Sequence, residues 1–335
     1  MRICAGGEKM SGTDSINSPQ AKLTAFEKRL CNALQNGLPI VERPFAQIAK
    51  TLDSDEETTL RKTRELVEMG IIRRIGAVVN WRAIGKTSTL VAAHIEKGDL
   101  RKVVEAVNRL AGVSHNYLRD HHFNLWFTLR GDSESQINKI LSRMSRRFGV
   151  KFYSLPAVRI FKLDVRFDAQ SGGRRLLPVL RPQSSDINPL FSVDRRILER
   201  LQGGLKVVKR PFDFISKDKF EIYDGLLHIA EMIHSGVISR LGAMVNHNKL
   251  GFVANAMFVC GAVGRRIVEV GGKLAKLNIV SHCYQRRAFK GWPYNLYAMM
   301  HGRNMKDIQA TVKKFVKAEA ITDWQLLATK ERLRK

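Results

Sequence analysis

The chain contains one strand-like motif twice, and this duplication limits the folds that it can adopt. Residues 114–119 (SHNYLR) and 281–286 (SHCYQR) share the pattern Ser-His-x-Tyr-x-Arg. Two further matching segments, 70–80 and 236–246, are 166 residues apart, against 167 for the two motif histidines. A nearly constant separation over such a span indicates a tandem repeat. The chain is therefore predicted to consist of two similar halves.

In each motif the histidine, tyrosine and arginine occupy alternate positions. A β-strand places residues i, i+2 and i+4 on one face. An imidazole, a phenol and a guanidinium side by side make a poor core and a good binding surface. The candidate binding residues are therefore His115, Tyr117 and Arg119 in the first half and His282, Tyr284 and Arg286 in the second.

Each half is predicted to begin with a winged helix-turn-helix. Periodicity and capping residues indicate helices at 25–34, 45–52 and 53–69, followed by a strand or small hairpin at 71–79. The second half repeats this unit from 194 to 246. The predicted architecture is α+β, with the winged unit leading into a second domain.

That second domain is predicted to be a ferredoxin-like βαββαβ unit. Its first copy has strands near 88–95, 113–119, 122–129 and 151–158, with helices near 100–110 and 134–148. Its second copy has strands near 252–260, 279–286, 294–300 and 321–328, with helices near 265–277 and 305–317. The predicted boundaries are 1–22 for a disordered extension, 23–82 and 191–248 for the winged units, 83–165 and 249–335 for the ferredoxin-like domains, and 166–190 for a linker.

Alternation along residues 123–128 predicts which side chains face the helices. Phe123, Leu125 and Phe127 are expected on the helix side. Asn124 and Trp126 are then expected on the open face of the sheet. In the second copy, Asn295 and Tyr297 take these places.

The chain is strongly basic, with 57 Lys and Arg against 31 Asp and Glu and a formal net charge of +26. Such an excess attracts polyanions. Nucleic acid and a small molecule with many carboxylates or phosphates both fit, and charge alone does not choose between them.

No apolar run has the length of a membrane span or of a secretory signal, so we expect a cytoplasmic protein. The four cysteines, Cys4, Cys31, Cys260 and Cys283, show no metal-binding spacing. Free thiols and no protein-bound metal are therefore expected.

A winged helix followed by a ferredoxin-like domain is the layout of the Lrp/AsnC superfamily. Within it, residues 115–121, 124–128, 155–162, 281–287 and 291–297 resemble the siroheme decarboxylases. The two-copy arrangement resembles the fused form found in haem d1 biosynthesis, whose separate subunits elsewhere form a heterodimer. The resemblance covers about residues 24–335.

The resemblance implies loss of CO2 from the C12 and C18 acetate side chains of siroheme, giving 12,18-didecarboxysiroheme. It implies no organic cofactor and no added metal, because the iron arrives within the substrate. It also implies assembly as a homodimer or with related decarboxylase subunits, with neither DNA nor a membrane as partner.

This chemistry requires cations that orient carboxylates and a proton donor for the carbanion left by CO2. His115 and His282 are the candidate donors, since imidazoles titrate near neutral pH. The candidate substrate-binding residues are Tyr117, Arg119, His121, Trp126, Arg159, Lys162, Tyr284, Arg286, Arg287 and Tyr297. Near the C-terminus, Lys330, Arg332, Arg334 and Lys335 roughly occupy the place of Arg159 and Lys162.

Two other functions remain open at this point. A DNA-binding regulator would use its recognition helix in the major groove. In the first half this helix begins with Asp53, Asp55, Glu56 and Glu57, which would repel phosphates. A tetrapyrrole carrier would share the pocket without catalysing a reaction.

Overall fold

The first winged unit forms as its capping residues predict. The computed structural model describes residues 22–170, 192–216 and 218–334. The unit contains α1 (Ala25–Asn36), α2 (Pro44–Thr51), α3 (Glu56–Glu68) and β1 (Ile72–Val79). Thr24 and Glu27 form a capping box on α1, and Asp55 caps α3. The three predicted helices are confirmed.

The second winged unit is shorter than predicted. It contains α6 (Ser192–Gly203), α7 (Lys219–His234) and β6 (Ile238–Val245), while residues 205–216 form turns instead of a middle helix. Pro44 precedes the α3 cap Asp55 by eleven residues, but Pro211 precedes the α7 cap Asp218 by only seven. The difference is about one helical turn. The prediction of a third helix here is wrong because too little chain remains to form it.

The two predicted wings pair with each other. β1 and β6 form an antiparallel two-stranded sheet in which Gly76 lies opposite Gly242. A Cβ added at Gly76 would lie 2.3 Å from the Leu201 carbonyl oxygen, and one at Gly242 would lie 2.6 Å from that of Leu34. The repeated glycine thus lets α6 and α1 pack directly on the paired wings.

A Gly76→Ala variant is expected to unfold at a lower temperature than the wild type. The added methyl group must displace the backbone of α6, and such overpacking costs about 1–3 kcal/mol. Circular dichroism melting measures the effect. The control is Gly272→Ala, since a Cβ at this helical position meets no atom within 4 Å. An equal loss at Gly272 would contradict the assignment.

Two ferredoxin-like units follow the wings, as predicted. The first contains β2 (Thr87–Ala93), α4 (Leu100–Asn108), β3 (Val113–Arg119), β4 (Leu125–Gly131), α5 (Glu134–Phe148) and β5 (Tyr153–Leu163). The second contains β7 (Ala254–Cys260), α8 (Arg266–Lys276), β8 (Val280–Arg286), β9 (Leu296–Gly302), α9 (Met305–Ala318) and β10 (Trp324–Arg332).

The two sheets close into one barrel. Its strand order is β10-β3-β4-β2-β5-β8-β9-β7, so β3 pairs with β10 and β5 with β8 across the halves. In this eight-stranded circle β3 and β8 lie on opposite sides. The open faces of the two sheets therefore form the barrel interior.

One end of this interior is filled by an interior aromatic cluster. Its buried members are Ala92, Phe123, Trp126, Leu155, Met257, Val259, Trp292, Tyr294, Tyr297 and Leu327. Leu125 and Phe127 face the helices, as predicted. The same prediction for Phe123 is wrong, because β4 begins at Leu125 and strand alternation does not extend into the preceding loop.

The segment after β5 packs on the first winged unit. The Gln35 side-chain amide donates to the Phe167 carbonyl oxygen at 2.9 Å, and the Phe167 amide donates to the Gln35 oxygen at 2.9 Å. Residues 166–170, predicted to begin the linker, are thus attached to α1. The rest of that linker from 171, and residues 1–21 of the predicted extension, lie outside the described residues.

Candidate active site

On β3, His115, Tyr117 and Arg119 lie on one face, as alternation predicted. The ring centroids of His115 and Tyr117 are 6.2 Å apart, and the Arg119 guanidinium carbon lies 5.5 Å from the Tyr117 centroid. Arg119 Nη1 donates to the Leu327 carbonyl oxygen at 2.9 Å, and Nη2 lies 3.6 Å from the Met299 sulfur. These partners belong to β10 and β9, so this face points into the barrel.

β8 repeats this arrangement on the opposite side of the barrel. His282 and Tyr284 have ring centroids 6.1 Å apart, and the Arg286 guanidinium carbon lies 4.7 Å from the Tyr284 centroid. Arg286 Nη1 donates to the Leu155 carbonyl oxygen at 2.6 Å. The two candidate binding strands therefore face a common interior.

Arg119 and Arg286 are buried cations, only 3% and 9% exposed. Neither forms a salt bridge with a carboxylate in the described part of the chain, and the Nε of each has no hydrogen-bond partner there. Burial lowers the pKa of Arg119 to about 10 and also lowers the pKa of Arg286. A buried charge without a counter-ion is strongly unfavourable. The interior is thus suited to an anionic ligand.

His115 lies in electropositive surroundings. Its side chain is accessible to solvent, yet burial lowers its pKa to about 4, with further lowering by the positive charges of Arg332, Arg130 and Arg73. At neutral pH this imidazole is uncharged.

The three arginines around His115 come from β1, β4 and β10. Arg73 Nη2 donates to the Asn246 side-chain oxygen at 3.3 Å, and the Arg130 guanidinium lies 4.3 Å from the centroid of a Trp81 ring. Arg332 lies opposite Tyr117 in the strand register. Across residues 22–170, 192–216 and 218–334, none of the three arginines has a carboxylate partner. They can therefore receive an external carboxylate.

Sequence reasoning did not select Arg73 or Arg130. The sequence did contain a clue to both residues: Arg73 is replaced by Ser239 in the other half of the repeat, and Arg130 by His301. Arg332 was assigned only loosely, and the strand pairing that places it beside the candidate site was not predicted.

His282 is held by the serine that precedes it. The Ser281 hydroxyl lies 2.8 Å from His282 Nδ1, 3.1 Å from His301 Nε2 and 3.1 Å from the Met299 carbonyl oxygen, to which it donates. With the one hydrogen of this hydroxyl donated to the Met299 carbonyl oxygen, the hydroxyl oxygen can accept from both imidazoles. In this arrangement His282 carries a hydrogen on Nδ1, and Nε2 is its other ring nitrogen.

Trp126, Tyr297 and His121 belong to the aromatic end of the barrel. Trp126 Nε1 donates to the Phe123 carbonyl oxygen at 2.6 Å, and Tyr297 accepts from Trp292 Nε1 at 2.7 Å. His121 lies edge-on to Trp292 at 5.2 Å. In this structure the three side chains form the packed end of the interior.

Three further candidates lie away from the two binding strands' inner faces. Arg159 is exposed, and Lys162 donates to the Leu277 carbonyl oxygen at 3.3 Å, at the end of α8. Arg287 is exposed and lies 3.5 Å from Glu134. Arg159 and Arg287 are thus at the surface, and Lys162 lies opposite Cys283 in the strand register.

The melting temperature is expected to fall as pH is lowered from 6.5 to 4. Burial lowers the pKa of His247 to about 4, with further lowering by Arg73 and Arg332, as at His115. In this window the unfolded chain binds more protons than the native state, so acid favours unfolding. A His247→Gln variant is expected to lose less stability over this range in thermal melts. An unchanged slope would contradict this assignment.

In the described ranges, no helix has the length and apolarity needed to cross a membrane. The same residues contain no group of three or more His, Cys, Asp or Glu side chains that could hold a metal ion. Cys31, Cys260 and Cys283 are free and buried, as expected, and Cys4 lies outside the described residues.

Comparison with known proteins identifies both parts of the repeat. A model of the AsnC-like ligand binding domain matches residues 83–162 and 249–334, and one of the siroheme decarboxylase NirDL-like HTH domain matches 27–73. The siroheme decarboxylase of Hydrogenobacter thermophilus is 34% identical over 92% of this chain and 93% of its own length. The siroheme decarboxylase NirDL subunit of Paracoccus denitrificans is 32% identical, over 83% and 85%.

A crystal structure of the siroheme decarboxylase NirDL in co-complex with an iron-uroporphyrin III analogue covers 92% of both chains. It has a TM-score of 0.69 and 30% sequence identity. Fold and site thus define a tandem AsnC-like protein with a winged unit before each ligand-binding domain. The chain belongs to the siroheme decarboxylase family and is a decarboxylase, that is, a carboxy-lyase. The predicted fold and family are confirmed.

Proposed function

We propose that this chain removes CO2 from the C12 and C18 acetate side chains of siroheme and releases 12,18-didecarboxysiroheme for haem d1 or an alternative route to haem. The observation that carries this proposal is the pair of buried arginines, Arg119 and Arg286, which lack carboxylate partners in the described chain. A macrocycle with eight carboxylates supplies the missing counter-charge. The complex of the related protein with an iron-uroporphyrin analogue supports the same ligand class.

The reaction breaks the bond between the acetate methylene and its carboxyl carbon. CO2 leaves, the electron pair stays on the methylene carbon, and a protein acid protonates that carbon to give a methyl group. Arg119 and Arg286 hold carboxylates by charge-assisted hydrogen bonds, assisted by Tyr117 and Tyr284. A histidine supplies the proton.

The proposal needs no organic cofactor and no metal other than the substrate iron. Activity of protein purified without added cofactors, and treated with a chelator before siroheme is added, tests this part. The name of the Paracoccus relative describes it as a subunit. We accordingly propose self-association or assembly with related subunits, measurable by sedimentation, and a cytoplasmic reaction, testable by fractionation.

The regulator hypothesis is not favoured. The first recognition helix, α3, contacts the second half: Arg64 Nε donates to the Val207 carbonyl oxygen at 3.0 Å, and Lys209 Nζ lies 3.5 Å from Glu57. A helix whose acidic N-terminal end contacts the same chain is poorly placed to enter a DNA groove.

The test is anaerobic incubation of the purified protein with siroheme, followed by mass spectrometry of the tetrapyrrole. Successive losses of one and two CO2 units are expected. Binding without loss of mass would identify a carrier instead. Absence of both binding and mass loss would overturn the proposal.

A further inference from the structure

The two histidine sites are related by the repeat but differ in the side chains around them. We define the His115 cluster as His115 with Arg73, Arg130 and Arg332, and the His282 cluster as His282 with Ser281 and His301. Arg332 lies opposite Tyr117, and Ile160 lies opposite the equivalent tyrosine, Tyr284. Arg332 and Ile160 therefore occupy equivalent positions in the repeat. The counterparts of Arg73, Arg130 and Arg332 are Ser239, His301 and Ile160.

We propose that the clusters divide the work of the proposed decarboxylation: the His115 cluster binds a substrate carboxylate that is retained, and the His282 cluster delivers the proton. Ser281 and His301 act as positioning residues for His282. This inference rests on the proposed function and adds to it the separate task of each half.

The His115 cluster has the composition of an anion site. Its three guanidinium groups are supplied by a wing and two barrel strands, and each is at least partly accessible to solvent. Arg73 contacts an amide oxygen, Arg130 an indole ring, and Arg332 Nε donates to the Arg334 carbonyl oxygen at 2.8 Å. None of these contacts is to a carboxylate. Guanidinium groups match carboxylates bidentately. The winged unit thereby contributes Arg73 to substrate binding.

Burial and the same arginines make His115 a poor acid. Its pKa of about 4 keeps it in the neutral form at neutral pH, so the imidazolium that would give up a proton is scarcely populated. Such an imidazole can still donate or accept a hydrogen bond to a bound carboxylate or its water. Its task is therefore binding.

The His282 cluster has the geometry of an oriented acid. Ser281 is fully buried and fixes Nδ1–H of His282 while His301 donates to the same hydroxyl oxygen. When His282 is protonated, its Nε2–H gives its proton to the methylene carbanion as CO2 departs. The imidazole returns to the neutral Nδ1–H form and takes its next proton from water.

The matched variants are Ser281→Ala and Ser114→Ala, because Ser114 holds His115 Nδ1 at 3.1 Å in the same way. Misplacing a reacting group by about 1 Å can cost about 100-fold, so loss of a residue that orients it is expected to cost about 10- to 100-fold. Ser281→Ala is expected to lower kcat by this factor with siroheme affinity nearly unchanged. Ser114→Ala is expected to weaken binding and to change kcat much less.

Arg73→Gln tests the carboxylate-binding task of the His115 cluster at a solvent-accessible position. Siroheme affinity, measured by absorbance titration, is expected to fall about 10-fold or more, with a smaller effect on kcat. Arg101→Gln makes the same charge change on the exposed side of α4 and is expected to retain wild-type affinity.

Equal losses of kcat in the two serine variants, or a kcat defect without weaker binding in Arg73→Gln, would overturn the division of tasks. Both results require an active wild type, whose activity is the separate test of the proposed function. If Ser281→Ala does not fold, judged by circular dichroism, His301→Gln replaces it with the same expected kcat defect.

Discussion

A His282→Ala variant is expected to lose decarboxylation by about 10²- to 10⁴-fold, the usual contribution of a general acid. The variant removes the β8 imidazole that Ser281 holds. Siroheme is expected to bind nearly as well, since the carboxylate-binding arginines remain. Single-turnover mass spectrometry with saturating siroheme isolates the chemical step.

His115→Ala is the informative comparison for this result. Its main effect is expected on siroheme affinity, because His115 is uncharged among the arginines. His234→Ala removes an exposed histidine at the end of α7 and controls for loss of an imidazole elsewhere. A His282→Ala enzyme with at least a tenth of wild-type kcat would exclude His282 as the acid.

Arg286→Met is expected to stabilise the free protein while it weakens siroheme binding. Replacing even a buried ion pair by apolar side chains of similar volume can gain about 1–4 kcal/mol, and Arg286 has no carboxylate partner in the described chain to offset its desolvation. The lost hydrogen bonds to a substrate carboxylate are expected to weaken binding about 10- to 100-fold. Chemical denaturation and absorbance titration measure the two effects separately.

Arg143→Met, on the exposed side of α5, removes a charge without changing the barrel interior. Neither its stability nor its siroheme affinity is expected to change appreciably. An Arg286→Met protein that is less stable than the wild type would show that the arginine mainly supports the fold through its bond to Leu155. That result would contradict the assignment of the barrel interior as an anion-binding site.

The sequence predicted local structure correctly where a short-range rule determines it. The strand Val113–Arg119 and the helix Glu134–Phe148 have the predicted bounds. Alternation within the strand is fixed by backbone geometry, and Ser133 and Gly149 mark the two ends of the helix. The shared face of His115, Tyr117 and Arg119 follows from that same alternation.

The predictions were wrong or incomplete where the structure depends on loop length or on packing against the other half of the chain. The middle helix of the second winged unit is absent because the loop before α7 is one turn shorter. Trp126 and Tyr297 do lie on the helix-free face, but that face is covered by the other half and tightly packed. The sheet face that would be exposed in an isolated half is buried in the barrel interior when the two halves pack together.

By itself, the sequence determined the repeat, the order of helices and strands and the alternating candidate residues, because these depend on neighbours along the chain. Only the tertiary structure decided that β3 and β8 face one barrel interior and that Arg73, Arg130 and Arg332 gather around His115. Arg130 comes from β4, which follows β3 along the chain, but the other relations arise from pairings between strands more than a hundred residues apart. The closing of the barrel brings the charges close enough to influence one another and sets the two histidines in different surroundings.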